Sequence, residues 1–183
     1  SQDYVYELII IDNRQLREYS ITHSMGVGIR VLVNKCQGFA STNNLSWDSI
    51  QRAIDRAISA AKAMSRAGKV IDFIEKPITK TSIRSHYSIN PLDIDSESKI
   101  KLVMEVNREA SKFSEVKSVL TRMGSQIDTR VFVSSEGDLI NVTTVAVGLS
   151  HMSIAKEGML MERVFDQKSA TAGSVSYTHL RAH

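Results

Sequence analysis

Residues 26–45 read GVGIRVLVNKCQGFASTNNL, and this stretch decides how the N-terminal half of the chain folds. From residue 28 to residue 33 apolar side chains alternate, with Ile29, Val31 and Val33 on one face, which predicts a strand. The letters NKCQG predict a turn of moderate length that contains Cys36. Residues 38–42 then return from it, so the stretch predicts a β-hairpin.

A helix is predicted directly after this hairpin. Ser46 is a favourable N-cap, and Asp48 places a negative charge in the first turn, where it complements the helix dipole. Apolar residues recur at helical spacing and many are alanine, so the stripe is narrow and the helix can lie close to a sheet. The stripe consists of Ile50, Ala53, Ile54, Ala57, Ile58, Ala61 and Met64. Gly68 is expected to end the helix.

The remaining segments predict further strands and a second helix. Residues 5–11 and 16–22 predict two strands joined by a turn at 12–15. Asp95 is the expected N-cap of the second helix, and four strands are expected at 116–125, 127–134, 139–155 and 158–164. The expected inner face of that helix is Ile100, Val103, Met104, Asn107, Ala110 and Phe113. This order predicts an α+β fold, with antiparallel sheets, packed amphipathic helices and two small subdomains in tandem.

We place domain boundaries where the periodicity changes. Residues 1–75 form the predicted N-terminal strand, hairpin and helix domain, and residues 76–93, bracketed by Pro77 and Pro91, form an extended connector. Residues 94–173 form the predicted middle domain of helix plus strands. Residues 174–183 are unrelated in pattern to the rest, and we interpret them as a non-native, adapter-like tail.

The bulk composition excludes several classes of protein. The chain has 183 residues, 42% hydrophobic and 23% charged, as expected for a chain with a packed core. A net charge of +3, with both signs interspersed, gives no basis for nucleic-acid binding. No apolar run approaches the roughly 20 residues of a membrane span. The single cysteine fits a reducing compartment, so we expect a cytoplasmic protein.

Two features of the opening stretch resemble functional motifs. Gly26-x-Gly28 begins like a dinucleotide fingerprint, but Val31 stands where the third glycine belongs, and a strand follows instead of a helix. We interpret these glycines as positions of close packing at a strand entrance. Cys36 lies beside Lys35, which can lower a thiol pKa, yet no base is spaced to activate it. We interpret it as a turn thiol without a catalytic role.

The histidines and acidic pairs predict no catalytic or metal site. His23, His86 and His151 are not followed by Glu, and no two lie at i, i+4, so no helical zinc site can be drawn. His151 is expected in a strand as a partly buried histidine with its hydrogen bonds satisfied. The pairs Asp93 with Asp95 and Glu157 with Glu162 lie in turn or cap contexts. No catalytic, metal-binding or substrate-binding residue is therefore assigned.

The order of the motifs resembles the N-terminal region of the TldD/PmbA (TldE) family. In that family a Gly-x-Gly-x-Arg-Val strand, a turn and Gly-Phe-Ala-Ser-Thr-x-x-Leu precede an amphipathic helix. The matching residues are Gly26, Gly28, Arg30, Val31, Gly38, Phe39, Ala40, Ser41, Thr42 and Leu45. The second half is similar to the family's middle region, including a turn at residues 134–137. The resemblance implies a metalloprotease whose His-Glu-x-x-x-His motif and further Cys ligand lie in a later region, and it transfers no ligand to this chain.

Three functions follow as hypotheses. The resemblance slightly favours the N-terminal part of a TldD-like zinc metallopeptidase acting on peptides or unfolded proteins. This part would be an inactive scaffold that contributes subunit contacts, with zinc expected in a region after residue 173. The first alternative is a PmbA/TldE-like non-catalytic partner subunit, and the second is an unrelated α+β binding module. The expected partners are a TldD/PmbA-type subunit in a homo- or hetero-oligomer and a peptide substrate, without nucleic acid or membrane.

Overall fold

The computed structural model describes residues 1–65, 71, 76–87 and 89–171. These residues form an antiparallel sheet accompanied by two helices, which confirms the α+β class while making the sheet dominant. The elements are β1 (Gln2–Asp12), β2 (Gln15–Val33), β3 (Cys36–Thr42), α1 (Trp47–Ser65), β4 (Lys80–Arg84), α2 (Ser96–Ala110), β5 (Val116–Val133), β6 (Leu139–Glu157) and β7 (Leu160–Ala170). The strand order is β3-β2-β1-β5-β6-β4, and β7 also pairs with β6.

The chain divides into two compact units that are interleaved along the sequence. Unit 1 comprises residues 1–3, 24–83 and 129–142, and unit 2 comprises residues 4–23, 84–128 and those from 143 onward. Strands β1, β2, β5 and β6 each contribute residues to both units. The units are therefore not consecutive segments, and the domain boundaries at residues 75 and 93 stay predictions.

The hairpin of the opening stretch differs from its prediction in two respects. The strands predicted at 16–22 and 28–33 are one continuous strand, β2. The turn contains only Asn34 and Lys35, whose φ angles of 50° and 62° match the two positive values of a type I′ turn. Cys36 pairs with Val33 as the first residue of β3 and is buried, so its prediction as a turn thiol is wrong.

In unit 1 the alanine stripe packs helix α1 closely against β3. Ser46 caps the helix, because its Oγ accepts from Ser49 N at 3.4 Å and its carbonyl accepts from Ile50 N at 3.0 Å. Ala53, Ala57 and Ala61 are fully buried. A Cβ built on Gly38 would lie 1.9 Å from the backbone oxygen of Ala57, so only glycine fits there. The predicted close approach is confirmed. The predicted helix end at Gly68 lies outside the described residues.

In unit 2 helix α2 covers one face of the sheet. Its predicted N-cap is confirmed, since the Asp95 side chain accepts from Ser98 N at 2.8 Å. The core cluster is Ile9, Ile11, Val103, Met123 and Val147, with Ile100, Leu102, Met104 and Leu149 packed around it. Asn107 is fully buried as predicted, but Phe113 is 66% exposed because the helix ends at Ala110. Lys99, absent from the predicted inner face, is buried.

The predicted connector and the later strands also need correction. Residues 80–84 of the connector form β4, which joins the sheet beside β6. The break expected at residue 126 is absent, because β5 runs without interruption from Val116 to Val133. The turn predicted at residues 134–137 is confirmed. The tail interpreted as non-native, residues 174–183, lies outside the described residues.

A polar anchor in unit 1 holds the start of the connector. The buried carboxylate of Asp138 accepts from Lys76 Nζ at 2.7 Å, from Thr79 N at 2.8 Å and from Ser134 Oγ at 2.7 Å. These hydrogen bonds, led by the one from Lys76, lower the pKa of Asp138 to about 2. The carboxylate therefore fixes residues 76–79 against the turn that precedes β6.

Candidate functional site

The two glycines of the opening stretch serve packing between strands. A Cβ on Gly26 would lie 3.2 Å from Thr42 O, and one on Gly28 would lie 3.2 Å from a ring carbon of Phe39. Neither glycine has a positive φ. The interpretation as close packing is confirmed, although both residues lie within β2 and not at its entrance.

The structure does not bring the candidate metal ligands together. Cys36 is buried in unit 1, whereas His23, His86 and His151 lie in unit 2. His23 and His86 are exposed. Within the described ranges, no group of three His, Cys, Asp or Glu side chains is arranged to hold a metal ion.

His151 is half-buried and hydrogen-bonded through both ring nitrogens. Thr121 Oγ1 accepts from the Asn107 side-chain amide at 3.1 Å and lies 3.0 Å from His151 Nδ1, while His151 Nε2 lies 2.7 Å from Ser153 Oγ. If the Thr121 hydroxyl donates to Nδ1, the ring is neutral with its proton on Nε2. Burial lowers the pKa of His151, which favours this neutral form. The predicted satisfied histidine is confirmed.

The two acidic pairs do not form acid–base sites. Asp95 is a helix cap, and the hydrogen bonds from Ser98 lower its pKa. Asp93 is exposed. Glu157 pairs with Leu160 and Glu162 with Ala155, so the two glutamates are diagonal rather than directly opposite, and both are exposed to solvent. Neither pair offers the shared environment in which one carboxyl acts as acid and the other as base.

A buried ion pair in unit 2 escaped the sequence analysis. Lys99 Nζ lies 2.5 Å from Glu7 Oε2 and also donates to Pro91 O at 3.0 Å. Both side chains are almost completely buried. The other carboxylate oxygen of Glu7 has no hydrogen-bond partner. The ion pair ties β1 to α2, and the hydrogen bond to Pro91 O ties α2 to the segment before it. Separating the two charges is costly because each would remain buried without its partner.

The opposite face of the unit 2 sheet carries an open groove of about 440 Å³. We call it the sheet groove. Along β1, alternate residues Glu7, Ile9 and Ile11 are buried, and the intervening Tyr6, Leu8 and Ile10 line the groove. Its other side chains come from three further strands: Arg122 and Gln126 of β5, Ala146 and Ser150 of β6, and Gln167 and Ser169 of β7.

Two glycines and Tyr6 line the groove, and Tyr4 stacks on that tyrosine. Gly124 and Gly148 line it without side chains. The ring of Tyr6 lies over Gly124, where a built Cβ would come 2.8 Å from Tyr6 Oη. Tyr4 stacks on Tyr6 with a centroid distance of 6.3 Å, and its hydroxyl donates to Gln126 at 3.2 Å. Burial is the main cause that raises the pKa of Tyr4, so this phenol stays neutral.

The charge in the sheet groove has a single sign. Arg122 is the one cation in the lining, all of which lies in the described part of unit 2, and the lining contains no carboxylate. Arg122 is exposed and makes no hydrogen bond or ion pair with the described residues. The alternation of side chains along β5 predicts that Arg122 and Gly124 share one face of the sheet. No local pattern predicts that four strands meet at one groove.

Comparison with protein-family models gives two matches. Residues 1–61 match PmbA/TldA metallopeptidase domain 1, and residues 89–180 match the PmbA/TldA metallopeptidase central domain. The chain belongs to the PmbA/TldD metallopeptidase family. The family resemblance stated from the sequence is confirmed, and the alternative of an unrelated α+β binding module is wrong.

Curated relatives are a quarter or more identical to the chain over the aligned residues. A metalloprotease of Methanocaldococcus jannaschii is 25% identical over 81% of this chain and 33% of its own length. A TldD homolog of Buchnera aphidicola, also named a metalloprotease, is 27% identical over 76% of this chain and 28% of its own. A metalloprotease of Methanothermobacter thermautotrophicus is 29% identical over 82% of this chain and 32% of its own length. The chain thus spans about a third of the length of these relatives.

Solved structures share the fold. A Thermotoga maritima protein, described as a proposed modulator of a DNA gyrase, superposes with a TM-score of 0.79 at 16% identity, over 93% of this chain and 38% of that one. TldE from Thermococcus kodakarensis gives a TM-score of 0.61 at 17% identity, over 99% and 42%. At these identities the likeness concerns the fold alone.

The described residues do not fit the zinc ion that the family implies. No three His, Cys, Asp or Glu side chains among them are grouped to hold a metal ion, and both nitrogens of His151 are already hydrogen-bonded. A catalytic zinc site needs three protein ligands around one open position. No catalytic step is therefore assigned to this part of the chain. Among the same residues, no helix has the length and apolar character of a membrane span.

Proposed function

We propose that this chain is the N-terminal and central part of a TldD-like zinc metallopeptidase that cleaves peptides or unfolded proteins. In this proposal it is a scaffold that supports the catalytic region and contributes to subunit contact. Zinc, the His-Glu-x-x-x-His motif and the further Cys ligand belong to a region that follows it. The residues described here bind and position, and hydrolysis takes place elsewhere.

The observation that carries this proposal is the double match to family domain 1 and the family central domain. Three relatives are named metalloproteases, and each is about three times as long as the matched part. Family membership by itself does not assign a reaction, so the proposal depends on the site in the remaining region.

We further propose a cytoplasmic location and assembly with a TldD/PmbA-type subunit. The single Cys36, buried at the start of β3, fits a reducing compartment, where structural disulfides are rare. Unit 1 carries exposed apolar side chains at Met25, Phe39 and Trp47, which fit a surface that a partner covers.

A PmbA/TldE-like non-catalytic subunit is the second candidate. It is favoured by the likeness in fold to TldE, which extends over 99% of this chain. The relative named as a TldD homolog is 27% identical to this chain over the aligned residues. The two domains matched here are common to both types of subunit.

The deciding experiment reads the gene beyond residue 173 and assays the encoded protein. The TldD-like proposal expects a helix with His-Glu-x-x-x-His, about one zinc per subunit and hydrolysis of an unfolded protein that a chelator abolishes. A complete C-terminal region without that motif would replace it with the TldE-like candidate. As the matched control, residues 1–183 alone are expected to be inactive. Chelator-sensitive hydrolysis by them would contradict the scaffold assignment.

A further inference from the structure

We propose that the sheet groove of unit 2 binds the carboxyl-terminal end of a short peptide, with the free carboxylate held by Arg122. The inference rests on the proposed function in one respect, namely that the ligand is a peptide. The groove, its charge and its shape are independent of where hydrolysis takes place.

The charge of the groove selects an anionic group. Arg122 is its one cation, and no carboxylate among the lining residues neutralises it. The guanidinium is exposed and makes no ion pair or hydrogen bond with the described residues, so none of its donors is used by them. A guanidinium presents a planar fork of N–H groups that matches the two oxygens of a carboxylate. A carboxylate is therefore the group that this side chain recognises best in a peptide.

The floor of the groove suits an extended main chain. The ring of Tyr6 lies over Gly124, but Gly148 leaves the floor open, since a Cβ built on it would meet its nearest neighbour only at 3.6 Å. A glycine floor allows another backbone to approach a strand closely. Ser150 and Ser169 line this space, and their hydroxyls make no hydrogen bond with the described residues. They can donate to peptide carbonyls or accept from peptide N–H groups.

The remaining wall is apolar. Leu8, Ile10 and Ala146 line it, and the volume of about 440 Å³ lies in the range of about 300–1,000 Å³ that small-ligand sites occupy. An apolar side chain next to the carboxylate would be removed from water there. The ligand class is thus a peptide of a few residues with an apolar C-terminal residue.

A carboxylate can come from the end of a peptide or from an acidic side chain, and three probes distinguish these sources. They are acetyl-Ala-Ala-Ala-Leu with a free carboxylate, the same peptide with a C-terminal amide, and amidated acetyl-Ala-Ala-Glu-Ala. Each is titrated into the ¹⁵N-labelled chain at low salt, where the charge is least screened. The readout is the backbone amide shifts of Gly124 and Gly148.

The free-acid peptide is expected to shift both glycine amides saturably and to bind about tenfold more tightly than its amide, as for one charge-assisted contact. Arg122→Gln is expected to remove this difference between acid and amide. Arg108→Gln, which removes an equal charge from helix α2 outside the groove, is expected to keep it. Gly148→Val fills the floor and is expected to weaken both peptides, with an unchanged circular dichroism spectrum confirming that the sheet is intact.

Several results would overturn the proposal. They are equal binding of acid and amide, an acid preference that survives Arg122→Gln, tighter binding of the Glu peptide, or no shift at about 1 mM peptide. Binding is measured without hydrolysis, so this test is separate from that of the proposed function. A gene that lacks His-Glu-x-x-x-His would refute the peptidase and leave the groove result standing.

Discussion

Replacing Gly38 by alanine tests the close packing of α1 on β3. The added Cβ would lie 1.9 Å from Ala57 O and 2.6 Å from Ala61 N. Both are backbone atoms of a helix, so no side chain can rotate to make room. Since real Cβ contacts stay beyond 3.0 Å, the helix must withdraw by at least about 1.1 Å.

The cost follows from the interface that this withdrawal opens. Ala53, Ala57 and Ala61 are fully buried. A gap of about 1 Å forfeits roughly half of the dispersion energy of facing atoms, and overpacking by itself costs about 1–3 kcal/mol. We expect Gly38→Ala to lower the free energy of unfolding by about 3 kcal/mol. For a chain of this size that corresponds to a decrease of about 6–12 °C in the melting temperature.

Urea unfolding followed by circular dichroism measures this loss, and two other glycines provide controls. A Cβ on Gly28 meets only the exposed ring of Phe39, at 3.2 Å, and one on Gly148 meets Ser169 Cβ at 3.6 Å. Gly28→Ala is expected to cost less than Gly38→Ala, and Gly148→Ala less than about 1 kcal/mol. A Gly38→Ala effect no larger than that of Gly148→Ala would refute the packing argument.

Three further predictions concern charged and polar groups. Lys99→Met should lower the free energy of unfolding by about 3–5 kcal/mol, because it leaves the Glu7 carboxylate buried without its cation. Lys99→Met combined with Glu7→Gln should lower it by less, as measured by urea unfolding. A larger loss in the double variant would contradict this. The pKa of Asp138 is lowered from 3.8 to about 2, so the stability it contributes is complete above pH 3.8 and is lost as the pH falls toward 2. Asp138→Asn should remove this part of the acid-unfolding curve, and an unchanged curve would show that the anchor has no effect. The pKa of His151 is lowered by burial, so the stability that the neutral ring contributes is complete above pH 6.5 and declines as the pH falls through the folded-state pKa. An NMR titration that gives His151 a pKa above 6.5 would refute this.

Features that depend on neighbouring residues could be predicted from the sequence. Ser46 and Asp95 start helices because a cap needs only a side-chain oxygen next to the first free N–H groups. The alanine stripe of α1 and the burial of Asn107 follow from helical spacing. Phe113 fits the same spacing but lies beyond the end of α2, and a period alone does not locate that end.

Features that depend on residues distant in the sequence could not be predicted in this way. Cys36 is buried because the two-residue turn makes it the first residue of β3, whereas the same letters also fit a longer loop. Lys99 occupies an inner position only because Glu7, far away in the sequence, supplies the opposite charge. The sheet groove needs four strands in one register, with Arg122 from one and Ser169 from another.

The sequence by itself determined the family, the class of fold and the positions of the helices, because caps, periodicity and motif order are written in short windows. The tertiary structure decided which polar groups are buried and where a groove opens. Strand pairing places β1 beside β5, whose residues lie more than a hundred positions away in the sequence, and no local preference specifies that choice. The GVGIRVLVNKCQGFASTNNL stretch shows both: its order identifies the family, and only the packing of Gly38 under α1 explains why that glycine is there.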